Sequence, residues 1–218
     1  MRFTLTAAAI LGMWLATAVP ASAGPILSIV TGDGEMWFGG AAVGGGSGTA
    51  VVIDPHPLWQ VPGSAQWVSY GDTGYGGSLL APPSGQDIIM TVFEWFLAEP
   101  GALLTLRIWA DDTARVLVDG TEVFAPNFTQ NICANGSIGC EPWEFGFVQF
   151  PFLTGGLHTL AFETFQVGTG TTTTSNPFGL LYEGTVEGTE SIPEPASIAL
   201  LGLGLAAAAR KRWRARAR

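Results

Sequence analysis

The stretch RIWADDTARVLVDGTEVF, residues 107–124, decides how the middle of the chain folds. Two apolar runs flank an Asp-Asp turn, and a second turn follows at Asp119 and Gly120. Asp-Gly between apolar runs is a strong hairpin signal, because both residue types accept the positive φ of a two-residue turn. The stretch therefore predicts β-strands joined by two tight turns.

The run that leads into this stretch has the alternation of a half-buried strand. Within residues 102–110 one face holds Leu104, Leu106, Ile108 and Ala110, and the other holds Thr105, Arg107 and Trp109. Successive side chains of a strand point to opposite faces of the sheet. The apolar set is therefore predicted to face a core.

The remainder of residues 24–190 repeats this pattern, with short apolar or alternating runs between clusters of Gly, Pro, Asn and Asp and no amphipathic helix of useful length. The predicted strands are 26–30, 50–54, 66–70, 87–97, 102–110, 114–120, 144–150, 157–167 and 178–186. Two segments rich in Gly or Thr, 39–48 and 167–177, are predicted loops, and the first lacks the Lys of a phosphate-binding loop. The length suits one domain, and the pattern predicts an all-β fold, a single jelly-roll-like β-sandwich.

The N-terminal segment predicts export. One Arg, an apolar stretch and then Ala21-Ser22-Ala23 before Gly24 form the pattern of a signal peptidase site. We expect residues 1–23 to be a signal peptide. An uncleaved membrane anchor is the alternative.

Charge is distributed very unevenly along the chain. Residues 24–190 hold two Arg against seventeen acids, a formal charge of −15, whereas six of the nine Lys and Arg lie in the last nine residues. An acidic surface repels phosphate backbones, so we expect no nucleic-acid partner. It can attract cations, although the simpler interpretation is that the acids keep the domain soluble.

The basic tail follows an apolar run from Ala196 to Ala209. A helix of that length spans roughly 21 Å, short of a hydrocarbon core of about 30 Å. Taken alone, the run could be a buried core helix. Basic residues directly after it obey the positive-inside rule and can snorkel to cover the mismatch. We therefore predict a short transmembrane helix, with residues 24–190 outside the cytoplasmic membrane.

Pro193, Glu194 and Pro195 precede this run. Pro195 suits the first turn of a helix, and Pro193 keeps the residue before it extended. Together with the apolar run and the basic tail, residues 192–218 resemble the PEP-CTERM sorting signal of Gram-negative bacteria, with Ile192 where that family often has Val. The resemblance implies that an exosortase, a membrane cysteine transpeptidase, removes the tail and passes the domain to the cell surface or an exopolysaccharide matrix. A permanent C-terminal anchor is the alternative.

A second resemblance covers about residues 107–186. The two turns described above, followed by LTGGLHTLAFETFQ at 153–166, resemble the core hairpin and a late strand of jelly-roll domains of the galactose-binding-like and protective-antigen types. In lectins of the second type paired Asp residues bind calcium and sugar hydroxyls, which implies that role for Asp111 and Asp112. This chain has Thr113 where the lectin pattern tends to have Gly. A Thr would be strained there if the turn required a positive φ. The alternative is that both Asp side chains cap the turn by accepting backbone N–H groups.

Tryptophan supplies a further set of candidate ligand residues, because flat rings stack on the C–H faces of sugars. Trp37, Trp59 and Trp143 sit beside Gly or Pro in loop-like sequence, so we expect these to be exposed. We expect Trp95 and Trp109, which lie in predicted strands, to fill the sandwich.

The two cysteines, Cys133 and Cys140, are separated by six residues rich in Asn and Gly. In the oxidising environment of an exported protein we expect them to form a disulfide. Two thiols without nearby His or Cys fall short of the four ligands of a structural zinc site.

Catalysis is not expected. The chain has two His, His56 and His158, and no GxSxG, HExxH or reactive-Cys signature. A glycosidase needs only two carboxylates, but no pair is marked out. Two hypotheses remain: a non-catalytic module that binds exopolysaccharide, or a structural surface or matrix protein without a discrete ligand. A saturable glycan site that depends on Asp111, Asp112 or an exposed Trp would separate them.

Overall fold

The structure is a computed structural model that describes residues 26–188, apart from 33, 62, 84, 130–137 and 153. Pro25–Thr189 forms one compact unit. The predicted signal peptide, Cys133, the Pro193-Glu194-Pro195 motif and the predicted membrane helix lie outside the described residues. Within the part that is described, no helix is long and apolar enough to cross a bilayer.

Twelve strands lie among the described residues, in two antiparallel sheets of six. The first sheet contains β1 (Ile26–Val30), β4 (Val51–Val52), β5 (Val68–Ser69), β7 (Leu103–Asp111), β10 (Gly146–Pro151) and β12 (Gly179–Glu187). The second contains β2 (Met36–Gly39), β3 (Ser47–Thr49), β6 (Met90–Ala98), β8 (Thr113–Val118), β9 (Thr121–Phe124) and β11 (Gly156–Phe165). The order is β10-β7-β12-β5-β4 in the first sheet, where β1 also pairs with β12, and β3-β2-β6-β11-β8-β9 in the second. The prediction of an all-β sandwich is confirmed.

One hydrophobic core lies between the two sheets. The apolar face predicted for β7 is fully buried in it, through Leu104, Leu106, Ile108 and Ala110. From the other sheet, Phe162 of β11 stacks on Tyr182 of β12, with ring centroids 4.1 Å apart and planes 10° from parallel. Offset-stacked aromatic pairs contribute about 0.5–1.5 kcal/mol beyond the area that they bury. This pair therefore helps to hold the sheets face to face.

A second, smaller cluster buries part of the outer face of the first sheet. Its members are Ile53, Trp59, Ala65, Trp67, Trp109, Cys140 and Leu181. The segment between β4 and β5 supplies Trp59 and Trp67, whose rings lie 4.2 Å apart. The prediction that Trp59 is exposed is wrong, because this segment covers the sheet and leaves Trp59 only 3% exposed. Trp109 is buried as predicted, but in this cluster rather than in the main core.

The Asp-Gly turn forms as the sequence predicts. Asp119 and Gly120 connect β8 to β9 with φ values of 49° and 75°, as a two-residue hairpin of this kind requires. The Asp119 carboxylate also accepts the Thr159 N–H at 2.9 Å and lies 2.7 Å from Nδ1 of His158. These contacts fasten the hairpin to β11, and His158 takes part in them.

The Gly-rich segment 39–48 connects β2 to β3, two short strands that the sequence did not reveal. Gly44, Gly45 and Gly46 all have positive φ, between 74° and 109°. Only glycine takes up that backbone conformation without strain. The segment is thus a loop that reverses the chain, and its two ends extend into strands. Residues 167–177 contain no strand or helix, as predicted.

Candidate functional site at the Asp111-Asp112 corner

Asp111 and Asp112 lie at a corner of the sandwich. Asp111 is the last residue of β7, in the first sheet, and Thr113 is the first residue of β8, in the second. The two strands predicted on either side of the Asp-Asp turn are present, but they do not pair with each other, because the chain crosses here from one sheet to the other. Thr113 is not among the described residues with positive φ, so the absence of Gly at that position strains nothing.

Asp112 holds a distant loop in place. Its side chain is buried, with 2% exposed, and the peptide bond that joins it to Asp111 is cis. Oδ2 accepts the backbone N–H of Val167 at 2.6 Å and that of Gly168 at 2.5 Å. Asp112 thus accepts backbone N–H groups, as the alternative interpretation of the Asp-Asp pair predicted. The donors, however, come from the loop between β11 and β12 rather than from the turn itself.

Asp111 is buried as deeply but has different partners. It is 5% exposed, accepts a hydrogen bond from the indole of Trp59, and hydrogen-bonds to the side chain of Asp112. Burial in the first place, and then the adjacent charge of Asp112, raise the pKa of Asp111 well above its usual range. Neither partner of Asp111 is a cation. The carboxyl group therefore keeps its proton over a wider pH range than an exposed Asp unless a cation binds beside it.

The corner opens into a cavity of about 320 Å³. It is lined by His56, Leu58, Trp59, Asp111, Asp112, Cys140, Glu141, Gly168, Thr169, Gly170, Thr174, Ser175, Asn176 and Pro177. Half of these residues belong to the loop between β11 and β12, which has hydroxyl groups at Thr169, Thr174 and Ser175. A concave site with a small number of precisely placed polar groups is characteristic of small-ligand pockets.

Asn176 brings an amide group into this cavity. The residue is 6% exposed, and its Nδ2 has no hydrogen-bond partner among the described residues. Its Oδ1 lies so close to Gly168 that a Cβ at that position would approach within 2.3 Å. A side chain at position 168 would therefore displace the Asn176 amide from its place in the cavity wall. A buried amide donor without a partner costs about 1–3 kcal/mol, which a ligand with an acceptor oxygen could recover.

The groups at this corner suit a hard cation. Calcium takes six to eight oxygen ligands from carboxylates, amides, backbone carbonyls and water, and Asp111, Asp112 and Asn176 offer side-chain oxygens of the first two kinds. In the part of the chain that the structure describes, no three His, Cys, Asp or Glu side chains converge on one point. The remaining ligands would therefore have to be backbone carbonyls, hydroxyl groups or water.

His56 stands in the wall of the same cavity. Its Nδ1 accepts the N–H of Leu58 at 3.2 Å, and its ring meets that of Tyr75 edge to face, with centroids 4.8 Å apart. Burial lowers the pKa of His56. The ring is thus a neutral part of the wall near pH 7.

The three tryptophans predicted to be exposed differ in their exposure in the structure. Trp143 is 73% exposed, Trp37 is partly buried with its ring 5.7 Å from that of Tyr70, and Trp59 belongs to the buried cluster described above. Trp95, predicted to be buried, is 50% exposed because it points outward from β6. Of these, only Trp59 lines the corner cavity, where its N–H orients Asp111 rather than presenting a face for stacking.

Cys140 is buried and lines the cavity as well. Its predicted partner, Cys133, is outside the described residues, so the disulfide stays a prediction.

Comparison with known proteins identifies the C-terminal segment. Residues 191–212 match the PEP-CTERM protein-sorting motif. The chain carries an exosortase sorting signal. The motif marks an exported protein of Gram-negative bacteria that is anchored transiently in the membrane and processed by an exosortase. The resemblance drawn from Pro193, Glu194, Pro195 and the residues after them is thereby confirmed.

No curated protein matches the sequence. Among solved structures, a GH26-CBM35 β-(1,4)-mannanase from Podospora anserina shares 13% identity over 80% of this chain and 29% of its own, with a TM-score of 0.36. A cycloisomaltooligosaccharide glucanotransferase from a Paenibacillus species, complexed with cycloisomaltoheptaose, shares 13% identity over 75% and 18%, with a TM-score of 0.31. A GH31 α-xylosidase from Xanthomonas citri shares 11% identity over 78% and 17%, with a TM-score of 0.35. The chain spans less than a third of each of these proteins, and TM-scores this low carry no argument about its function.

Proposed function

We propose that this exported protein is a non-catalytic carbohydrate-binding module of the cell surface or exopolysaccharide matrix, and that it binds sugar hydroxyls at the Asp111-Asp112 corner with the help of calcium. The observation that carries the proposal is the convergence of two adjacent buried carboxylates and the amide of Asn176 on one cavity of about 320 Å³. Structural groups that serve only the fold would not need a concave opening of that size.

The chain's own residues divide the work at this site. The Trp59 N–H fixes the orientation of Asp111, and Asp112 fastens at Val167 and Gly168 the loop that lines the cavity. Asn176 offers a buried donor, and the hydroxyl groups of the same loop can donate to or accept from a sugar. A bound calcium ion would supply positive charge that offsets both carboxylates and attracts hydroxyl oxygens.

The absence of catalysis is part of the proposal. Hydrolysis of a glycosidic bond needs an acid and a second carboxylate placed on either side of the bond. Asp111 and Asp112 both line the cavity, are adjacent in the chain and share a hydrogen bond. That arrangement favours one binding point over two opposed catalytic groups.

The proposal is tested by glycan binding with and without calcium. Residues 24–190, which contain the compact unit with its own core, are screened against immobilised neutral polysaccharides in calcium and in EDTA, as the parent and as Asp111→Asn with Asp112→Asn. Asp87→Asn, at an exposed Asp away from the cavity, is the matched control. We expect a component of the binding that requires calcium, survives in the control, and is lost in the double variant. Equal binding by the parent and the double variant would contradict the proposal.

One observation favours the second candidate, a structural surface or matrix protein without a discrete ligand. Asp112 already accepts two backbone N–H groups and so has a structural task of its own. If no polysaccharide binds and calcium has no effect on thermal unfolding, the corner is a device that joins the two sheets to the loop, and the structural role is the better account.

A further inference from the structure

The outer face of the second sheet carries a continuous apolar surface, which we call the β6 face. Its exposed side chains are Met36, Phe38, Trp95, Leu97 and Leu157, and Phe93 lies among them. They come from three neighbouring strands, with Met36 of β2 opposite Phe93 of β6 and Leu157 of β11 opposite Leu97. Contiguous exposed apolar patches on a soluble domain usually mark a binding surface.

Aromatic contacts hold the central rings of this face in fixed orientations. The rings of Phe93 and Trp95 are stacked, with centroids 5.7 Å apart and planes 18° from parallel. Phe38 meets Phe93 edge to face at 5.5 Å. Half of the Trp95 surface nevertheless remains exposed. A ring that is already oriented loses little conformational entropy when a flat ligand stacks on it.

A cavity of about 350 Å³ adjoins these rings. It is lined by Gly32, Gly34, Glu35, Met36, Phe93, Glu94 and Trp95. The cavity forms beside the first residue of β2. Met36 pairs with Phe93, and β2 has no residue to pair with the part of β6 that continues from Glu94. It shares no lining residue with the cavity at the Asp111-Asp112 corner.

Glu35 lines this cavity and carries acceptor oxygens. Glu35 accepts the Gly32 N–H through Oε1 at 2.6 Å, while its Oε2 is buried and has no hydrogen-bond partner among the described residues. Glu94 also lines the cavity, but its side chain accepts the hydroxyl of the buried Tyr182 at 2.7 Å and so points to the core side of β6, away from Trp95. Burial raises the pKa of Glu94, against the effect of the Tyr182 hydrogen bond. A ligand that donates hydrogen bonds would satisfy the buried oxygen of Glu35.

We propose that the β6 face and this cavity form a second binding site, which takes a neutral sugar ring with its C–H face on Trp95 and its hydroxyl groups directed to Glu35. An apolar ring surface beside acceptor oxygens is complementary to a pyranose, which has an apolar C–H face and a rim of hydroxyl donors. The Glu35 carboxylate, and the formal charge of −15 over residues 24–190, disfavour uronic acids, sulfated sugars, nucleic acids and anionic lipid surfaces. With sites on two separate surfaces, one molecule could hold two polysaccharide chains together.

The test is isothermal calorimetry on residues 24–190 in EDTA, so that calcium cannot contribute. Cellohexaose, mannohexaose, xylohexaose and laminarihexaose are the neutral probes, and a chitosan hexamer is the cationic probe. The variants are Trp95→Ala and Glu35→Gln. Trp143→Ala is the matched control, because it removes a Trp that is even more exposed but lies outside this face. Thermal unfolding checks that each variant is folded.

We expect at least one neutral hexasaccharide to bind. Binding should weaken about tenfold or more in Trp95→Ala, since a stacked ring contributes about 1.4 kcal/mol, and severalfold in Glu35→Gln, while Trp143→Ala binds like the parent. Binding should also persist in Asp111→Asn with Asp112→Asn, which separates this site from the corner site.

Four results would overturn the inference. The first is that no neutral hexasaccharide binds, and the second is that Trp95→Ala binds as tightly as the parent. The third is that only the chitosan hexamer binds, which would assign the cavity to a cationic partner. The fourth is a dimer in sedimentation that Trp95→Ala disrupts, which would assign the face to a second copy of this chain.

Discussion

Asp111 and Asp112 are neighbours with nearly equal burial, yet the structure gives them opposite effects on the stability of the metal-free protein. Asp112→Ala removes the acceptor of two backbone N–H groups, at 2.6 and 2.5 Å. A hydrogen bond to a charged group contributes about 1.5–3 kcal/mol, and water entering the open cavity recovers part of that. We therefore expect a loss of about 3 kcal/mol in the free energy of unfolding, which for a domain of this size lowers the Tm by about 6–12 °C.

Asp111→Asn should have no such cost. Because burial and Asp112 raise the pKa of Asp111, its contribution to stability is fully present below the pKa of the unfolded chain, about 3.9. That contribution is lost as the pH rises through the pKa of the folded state. Asn has a similar shape and no charge, so the substitution removes the loss of stability that Asp111 causes as the pH rises. We expect the variant to match or exceed the parent's free energy of unfolding at pH 7.

The assay is urea and thermal unfolding of residues 24–190 in EDTA at pH 7. Asp72→Ala is the matched control, since it removes an exposed Asp that accepts one backbone N–H, from Ser78 at 2.8 Å. That control should lose less than about 1 kcal/mol. If Asp111→Asn and Asp112→Ala lose equal free energy, or if Asp112→Ala behaves like Asp72→Ala, the division of roles between the two carboxylates is refuted.

Three further predictions follow from individual contacts. Calcium should bind more tightly at pH 7.5 than at pH 5, because Asp111 has to release its proton; calorimetry at both pH values checks this. Tyr182→Phe should lose about 2 kcal/mol, since the hydroxyl of this buried residue donates to Glu94 at 2.7 Å; in a double-mutant cycle with Glu94→Gln the two losses should not add. Asp119→Asn should flatten the fall in stability at acid pH. Burial raises the pKa of Asp119, but hydrogen bonds from His158 and from the Thr159 N–H outweigh it and lower the pKa overall. The contribution of Asp119 to stability is therefore present above the pKa of the unfolded chain and is lost as the pH falls through the pKa of the folded state. Urea unfolding at pH 3–6 measures this.

Local sequence pattern was sufficient for the longer strands and for one turn. The alternation in β7 identified the face that is buried, because a period of two fixes which side chains share a face. Asp119-Gly120 identified its hairpin, because that turn depends on the conformational freedom of the two residues alone. Both features are decided within a few residues along the chain.

Features that depend on distant segments could not be predicted in the same way. Trp59 is buried because the segment between β4 and β5 covers the first sheet. Trp95 is half exposed because none of the described segments covers the outside of the second sheet in the same way. The N–H groups that Asp112 accepts lie 55 and 56 residues further along the chain. Whether an Asp-Asp turn joins two strands of one sheet or crosses between sheets is decided by strand pairing, and β7 pairs with β10 and β12 rather than with β8.

The most direct test of the account is a calorimetric titration of calcium into residues 24–190 at pH 7.5, in the presence and absence of the polysaccharide that binds best. The account predicts a single calcium site that is lost in Asp111→Asn with Asp112→Asn, kept in Asp87→Asn, and tightened when the polysaccharide is present, since ligands that share a site must affect each other's affinity reciprocally. No heat of binding in the parent, or the same calcium affinity in the double variant, would contradict it.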